Sequence, residues 1–269
     1  MGFIQISEKD LKNSPSGLLA INIVKDIICS HSFIIYVDKN LEIRDYFVVD
    51  FNIEIPELSD SEPIQELETF EKDIMEFDLI KLYIPAKQFT YILKSIFSKQ
   101  NIILIFDDHF LHDPFHNFFE MITQNSFEIN ITIFSKEEYK ANKKKNKDSM
   151  VFESISIHRN NKNLINPKKL DVEKYIVNKF LTQSDMKFSY IFLKNEILKA
   201  YKLSKSIAYF IKNNQGKGKN INILLVKNQL ENEYKLKINR EYLSFLIEIV
   251  RDYFKVDAPS YCDSFIKSL

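Results

Sequence analysis

NIILIFDDHFLHDPFHNFFE, residues Asn101–Glu120, decides how this chain is read. Ile102–Phe106 is a short unbroken apolar run, the pattern of a strand buried on both faces. Asp107 ends it. Asp113-Pro114 then reads as an N-cap followed by proline at the first helical position, where a missing N–H costs nothing. Phe115, Phe118, Phe119 and Ile122 recur at helical spacing, so a helix is expected through about Thr123. The loop between strand and helix is Asp107–His112. In an open α/β sheet, ligands bind outside the carboxyl ends of the strands. Three of the five histidines of the chain fall in this stretch, with three aspartates.

Outward from this stretch the pattern alternates. Leu79–Ile84 is expected as a strand and Lys87–Phe97 as a helix. Phe127–Phe134 is expected as a strand. Ser135-Lys136-Glu137-Glu138 is a capping box that starts a short helix at Lys136–Asn142. Lys143–Lys147 is a basic loop, and Met150–Ile157 a further strand. Alternating strands and helices with short connections predict a parallel sheet with crossover helices. The fold class expected for residues 1–160 is therefore α/β, Rossmann-like in topology. Closer to the start, Leu18–Cys29 fits a buried helix opened by the SPSG turn. Phe33–Val37 and Tyr46–Ile55 flank DKNLEIR as a hairpin. Pro56–Asp78 is acidic, with a helical spacing in Pro63–Phe77.

Arg159–Leu170 is polar, aperiodic and contains Pro167, so it is expected as a domain boundary. A cut within Asn160–Pro167 is expected to yield two soluble pieces. Residues 161–269 then turn helical. Asp171 is expected to cap a helix running to Phe180. Phe188–Asn213 holds one or two helices, with Ile191, Leu193, Ile197, Leu198, Tyr201, Ile207, Phe210 and Ile211 as core. Ile223–Tyr234 and Arg240–Phe254, joined by Lys235–Asn239, resemble a helix-turn-helix over residues 223–254. Val226, Leu230, Leu236, Ile238, Leu243, Leu246 and Ile247 supply its core.

Charge separates the halves. Net charge is zero. Residues 161–269 carry 20 basic against 11 acidic groups, giving +9. Residues 1–160 carry 17 against 26, giving −9. A basic half meets nucleic acid or an acidic protein surface. Its candidate nucleic-acid contacts are Lys212, Lys217, Lys219, Lys235, Lys237, Arg240, Ser244 and Arg251. Asp107, Asp108, His109 and His112 form a candidate divalent-metal set, since carboxylate and imidazole suit Zn, Mn or Fe. Such a metal would activate water for hydrolysis. The bland alternative is a helix cap with solvated acids and surface imidazoles.

Several classes are disfavoured. Only Gly2, Gly17, Gly216 and Gly218 occur. Phosphate-cradling loops need glycine for close backbone approach, so neither NAD nor ATP is expected as a cofactor. No GxSxG nucleophile elbow is present. Cys29 and Cys262 have no metal-type spacing and read as reduced thiols, which with the acidic N-terminus points to the cytoplasm and away from membranes. The leading reading is a non-enzymatic, nucleic-acid-associated regulator or adaptor whose α/β domain binds a ligand or partner. A metal-dependent hydrolase and a protein-interaction subunit are the alternatives.

Overall fold

A computed structural model describes residues 18–23, 33–38, 40–48, 80–153, 156–159, 165–214 and 221–259. The chain is of mixed α/β class. Three strands, β1 (Leu18–Ile23), β2 (Phe33–Asp38) and β3 (Ile43–Val48), form an antiparallel sheet in the order β1-β2-β3. The next element is helix α1 (Ala86–Phe97). Then come β4 (Ile102–Ile105), α2 (His112–Thr123), β5 (Ile131–Phe134), α3 (Lys136–Asn142), β6 (Met150–Glu153) and β7 (Ser156–Arg159). Four helices complete the described chain: α4 (Asp171–Thr182), α5 (Met186–Asn214), α6 (Ile223–Tyr234) and α7 (Arg240–Asp252).

The second sheet has the order β5-β4-β6-β7. β4 pairs parallel with both β5 and β6, and β7 closes the edge antiparallel to β6. The single strand expected at Met150–Ile157 is thus two strands of a hairpin. Successive residues of β4 point to opposite faces, as the two-residue period requires. Ile102 and Leu104 join Met150 and Phe152 against the helical layer. Ile103 and Ile105 join Val151 and Tyr139 of α3 on the other side. Both faces are covered, which is why all four residues of β4 are buried.

Several segments differ from expectation. The second hairpin strand begins at Ile43 and not Tyr46, β5 begins at Ile131 and not Phe127, and Asp171 is the first residue of α4, with Leu170 at the cap position. Leu18–Ile23 is a strand and not the start of a helix. Ile23 is buried and Ile21 packs beside it with Ile35 and Val37, at the spacing of a pleated strand. Residues 24–29 lie outside the described residues, as do residues 49–79. Residues 80–83 are helical where a strand was expected. Ile84 N–H donates to the Ile80 carbonyl at 3.0 Å, and both side chains are fully buried one turn apart. Pro85 then breaks the turn, because proline disfavours the helical region for the residue before it. Residues 86–97 resume as α1.

Buried contacts cross the boundary expected near residue 160. One continuous buried cluster runs from Ile80 to Ala258. Its centre is aromatic. The Phe89 ring of α1 lies 5.4 Å from Phe180 of α4, 6.0 Å from Phe118 and 6.2 Å from Phe119 of α2. A second group joins Phe97 of α1 to Phe245 of α7 at 5.4 Å and to Phe127 at 5.1 Å. Edge-on and tilted ring pairs at these separations are the favoured arrangements of aromatic quadrupoles. Both groups draw rings from each side of residue 160.

A buried ionic cluster crosses the same divide. The Lys94 ammonium of α1 lies 3.2 Å from Glu173 Oε1 on α4 and 2.7 Å from Glu248 Oε2 on α7. Burial opposes the charge on Lys94, yet the two carboxylates more than offset it and hold the ammonium above its ordinary range. Burial pushes the Glu173 carboxyl up, against the pull of Lys94. Lys169 reaches Glu248 Oε1 at 3.5 Å from the exposed side.

Candidate functional site

The Asp/His stretch is more ordered than a loop. A 3-10 turn at His109–Leu111 runs directly into α2, which starts at His112. Asp113 is therefore inside the first turn and not an N-cap. Leu111 holds the cap position, with no side-chain hydrogen bond. An acid in the first turn still opposes the positive end of the helix dipole.

Each of the four candidate metal ligands has a definite placement. Asp107 Oδ1 accepts the Lys136 backbone N–H at 3.0 Å, so it satisfies an orphan donor at the start of α3. The Lys136 ammonium lies 3.4 Å from Asp107 Oδ2 and 3.3 Å from Glu153 Oε1 at the end of β6. That backbone bond, helped by the ammonium, holds the Asp107 carboxyl below its usual range. Asp108 is exposed, and its carbonyl accepts from Leu111 N–H at 3.0 Å. His112 Nε2 sits 3.1 Å from the Phe106 carbonyl, which fixes its ring against the end of β4. The His109 ring is exposed, 5.0 Å from that of His112. Among the described residues, no three His, Cys, Asp or Glu side chains converge as a metal shell. The cation between the Asp107 and Glu153 carboxylates is the Lys136 ammonium. The arrangement closes the carboxyl end of the sheet by tying β4, α3 and β6 together.

The helix pair is placed as the sequence suggests. α6 ends where Lys235 takes a left-handed conformation, φ 50°, and Asn239 caps α7 by accepting from Tyr242 N–H at 2.8 Å. Val226, Leu230, Leu236, Ile238, Leu243, Leu246 and Ile247 are all buried. Burial of α7 goes further, however. Tyr242, Phe245, Ile249 and Val250 are buried too. A single stripe is left, containing Arg240, Glu241, Ser244, Glu248 and Arg251. Glu248 is held by Lys94 and Lys169. Arg251 is turned back onto the chain, its Nε donating to the Ala258 carbonyl at 3.0 Å and its Nη2 to the same oxygen. Ser244 is half-buried. Lys212, Lys235, Lys237 and Arg240 are exposed, while Lys217 and Lys219 lie outside the described residues.

One surface escaped the sequence reading. α5 is a single helix of 29 residues with one acid, the buried Glu196. Lys202, Lys205, Tyr209 and Lys212 are all exposed, at spacings of three, four and three residues. Those spacings put them on one face, since 3.6 residues make a turn. The same stripe continues back through Leu198, Asn195, Ile191 and Phe188. Ile191 and Leu198, expected in the core, are half-buried on it. The signal was present in the sequence, in the exclusion of acids from the stripe.

Among the described residues, no helix is long and apolar enough to cross a membrane. Comparison with protein-family models, with curated proteins and with solved structures finds no match.

Proposed function

We propose that this protein is a non-enzymatic, nucleic-acid-associated adaptor that holds the phosphate backbone and does not read a groove. The observation that carries this reading is the distribution of cations in the helical part. Lys202, Lys205, Lys212, Lys235, Lys237 and Arg240 are exposed there. On α7, Glu248 is held by Lys94 and Lys169, and Glu241 stands exposed beside Arg240. Phosphate contact supplies affinity without sequence information, whereas sequence is read by side chains that reach base edges. In a helix-turn-helix-like hairpin the second helix offers those side chains. Here that helix is committed to the core, so the hairpin contributes a basic corner at residues 235–240. The α/β part of the chain serves in this reading as a scaffold, with Lys136 bridging Asp107 and Glu153. A hydrolase would need Asp107 released from α3, which the two bonds from Lys136 oppose.

The test is charge reversal at the corner. Lys235→Glu, Lys237→Glu and Arg240→Glu together are expected to weaken binding of a labelled oligonucleotide at least tenfold, read by fluorescence anisotropy. Circular dichroism should stay unchanged, because all three side chains are exposed. Unchanged affinity in the folded variant contradicts the assignment of this corner.

A further inference from the structure

We infer that the exposed stripe Lys202–Lys205–Tyr209–Lys212 on α5 is a track for single-stranded nucleic acid. The inference rests on the proposed function and deepens it by naming the strand state and the residues. Three features converge. The first is charge. α5 carries Lys187, Lys194, Lys199, Lys202, Lys205 and Lys212 against Glu196 alone. Lys194 and Lys199 are buried, bonded to Gln124 at 2.7 Å and to Glu196 at 2.5 Å. Lys202, Lys205 and Lys212 are exposed, and among the described residues no salt bridge is seen to them; the Lys205 ammonium lies 5.5 Å from the Tyr201 ring. From Lys202 to Lys212 the helix rises about 15 Å, at 1.5 Å per residue.

The second feature is the aromatic ring. Tyr209 is 70% exposed, the largest value among the exposed large hydrophobic side chains of the described residues. It lies between Lys205 and Lys212 on the same face. A solvated ring flanked by cations is the arrangement on which an unpaired base stacks while its phosphates meet lysine. The third feature is the lack of groove-reading chemistry. α5 has no arginine, the residue that makes the commonest specific contact with a base edge. A duplex keeps its bases stacked on each other and offers Tyr209 no ring to meet.

The experiment uses the full chain and three probes: a labelled single-stranded oligonucleotide, the same sequence as a duplex, and polyglutamate as an acidic polymer without bases. Lys202→Glu, Lys205→Glu and Lys212→Glu together are expected to weaken single-strand binding at least tenfold. Tyr209→Ala is expected to weaken it about tenfold, within the range seen when a stacking aromatic is removed. Tyr209→Phe should restore affinity, because it keeps the ring. Duplex and polyglutamate should bind more weakly than the single strand and be indifferent to Tyr209→Ala. Thermal melting of each variant confirms the fold. If Tyr209→Ala binds the single strand like the parent, or if duplex or polyglutamate is preferred, the inference is overturned. Binding that survives the α5 reversal but fails on reversing Lys235, Lys237 and Arg240 removes the track and leaves the adaptor reading standing. No binding to either nucleic acid removes both.

Discussion

Replacing Lys94 by Met is expected to cost roughly 3–5 kcal/mol of stability, the range seen when one partner of a buried ion pair is removed. The Lys94 side chain is 7% exposed and that of Glu173 1%. Methionine matches the length of the lysine stem, so packing is largely kept and the loss is electrostatic. Glu173 would then sit buried without its cation. Glu248 is less affected, since it is 26% exposed and still within reach of Lys169. The pH dependence identifies the cause. Burial already raises the folded-state Glu173 carboxyl above its ordinary value, and loss of Lys94 raises it further. A group raised on folding costs nothing below its unfolded value, where both states are protonated. The penalty grows as pH rises through the folded value. The Lys94→Met defect should therefore be large at neutral pH and shrink toward pH ~4, near the unfolded value of a glutamate. Adding Glu173→Leu should recover most of the loss at neutral pH, because apolar replacements of buried ion pairs are often neutral. Urea denaturation of the two variants across pH reads both effects. A defect of equal size at every pH would mean that Lys94 acts through packing alone.

Residues 1–160 and 161–269, produced separately, are each expected to remain unfolded. Splitting the chain strips Phe180 and Tyr190 from Phe118, and Phe180 from Phe89. It also strips Phe245 from Phe97 and Lys94 from both its carboxylates. Each buried Phe lost in this way is worth about 3–5 kcal/mol, against a total stability of about 5–15 kcal/mol for a typical domain. Loss of Phe180, Phe245 and the Tyr190 ring together takes most or all of that margin. Co-production of the two pieces should restore a cooperative thermal transition. Two independently folded fragments would mean that the shared cluster is a docking surface between finished domains.

The sequence was most legible where local chemistry leaves one solution. The Ser135 capping box, the buried run of β4 and the seven core positions of the α6–α7 hairpin stand where they were read. Short apolar runs were ambiguous. Leu18–Ile23 became a strand because its pairing with β2 supplies the hydrogen bonds, a tertiary fact that six residues do not encode. Residues 80–83 became a helical turn because Ile80 and Ile84 needed the same side of the chain. The expected boundary had the polarity of a linker, but polarity at residues 160–170 says nothing about whether the flanking faces pack on each other. They do, through Phe89, Lys94 and Phe97. The candidate metal set failed to gather for a similar reason. Asp107 is adjacent in sequence to Asp108, but its partner is the start of α3, 29 residues on. The stripe on α5 required knowing which face of a long helix the core leaves uncovered.

The most direct measurement of the proposed function is a salt titration of oligonucleotide affinity for the full chain, on two single strands of unrelated sequence. Each neutralised phosphate releases condensed counterions, so log K falls linearly with log salt, with a slope of about −0.7 per contact for single strands. Contacts by the cations at Lys202, Lys205, Lys212, Lys235, Lys237 and Arg240 would give a slope of roughly −2 to −4 on that scale. The two sequences are expected to bind alike, because the lysines meet phosphate. A flat salt dependence, a strong preference for one sequence, or no binding even at ~50 mM salt, where such contacts are strongest, would contradict the reading.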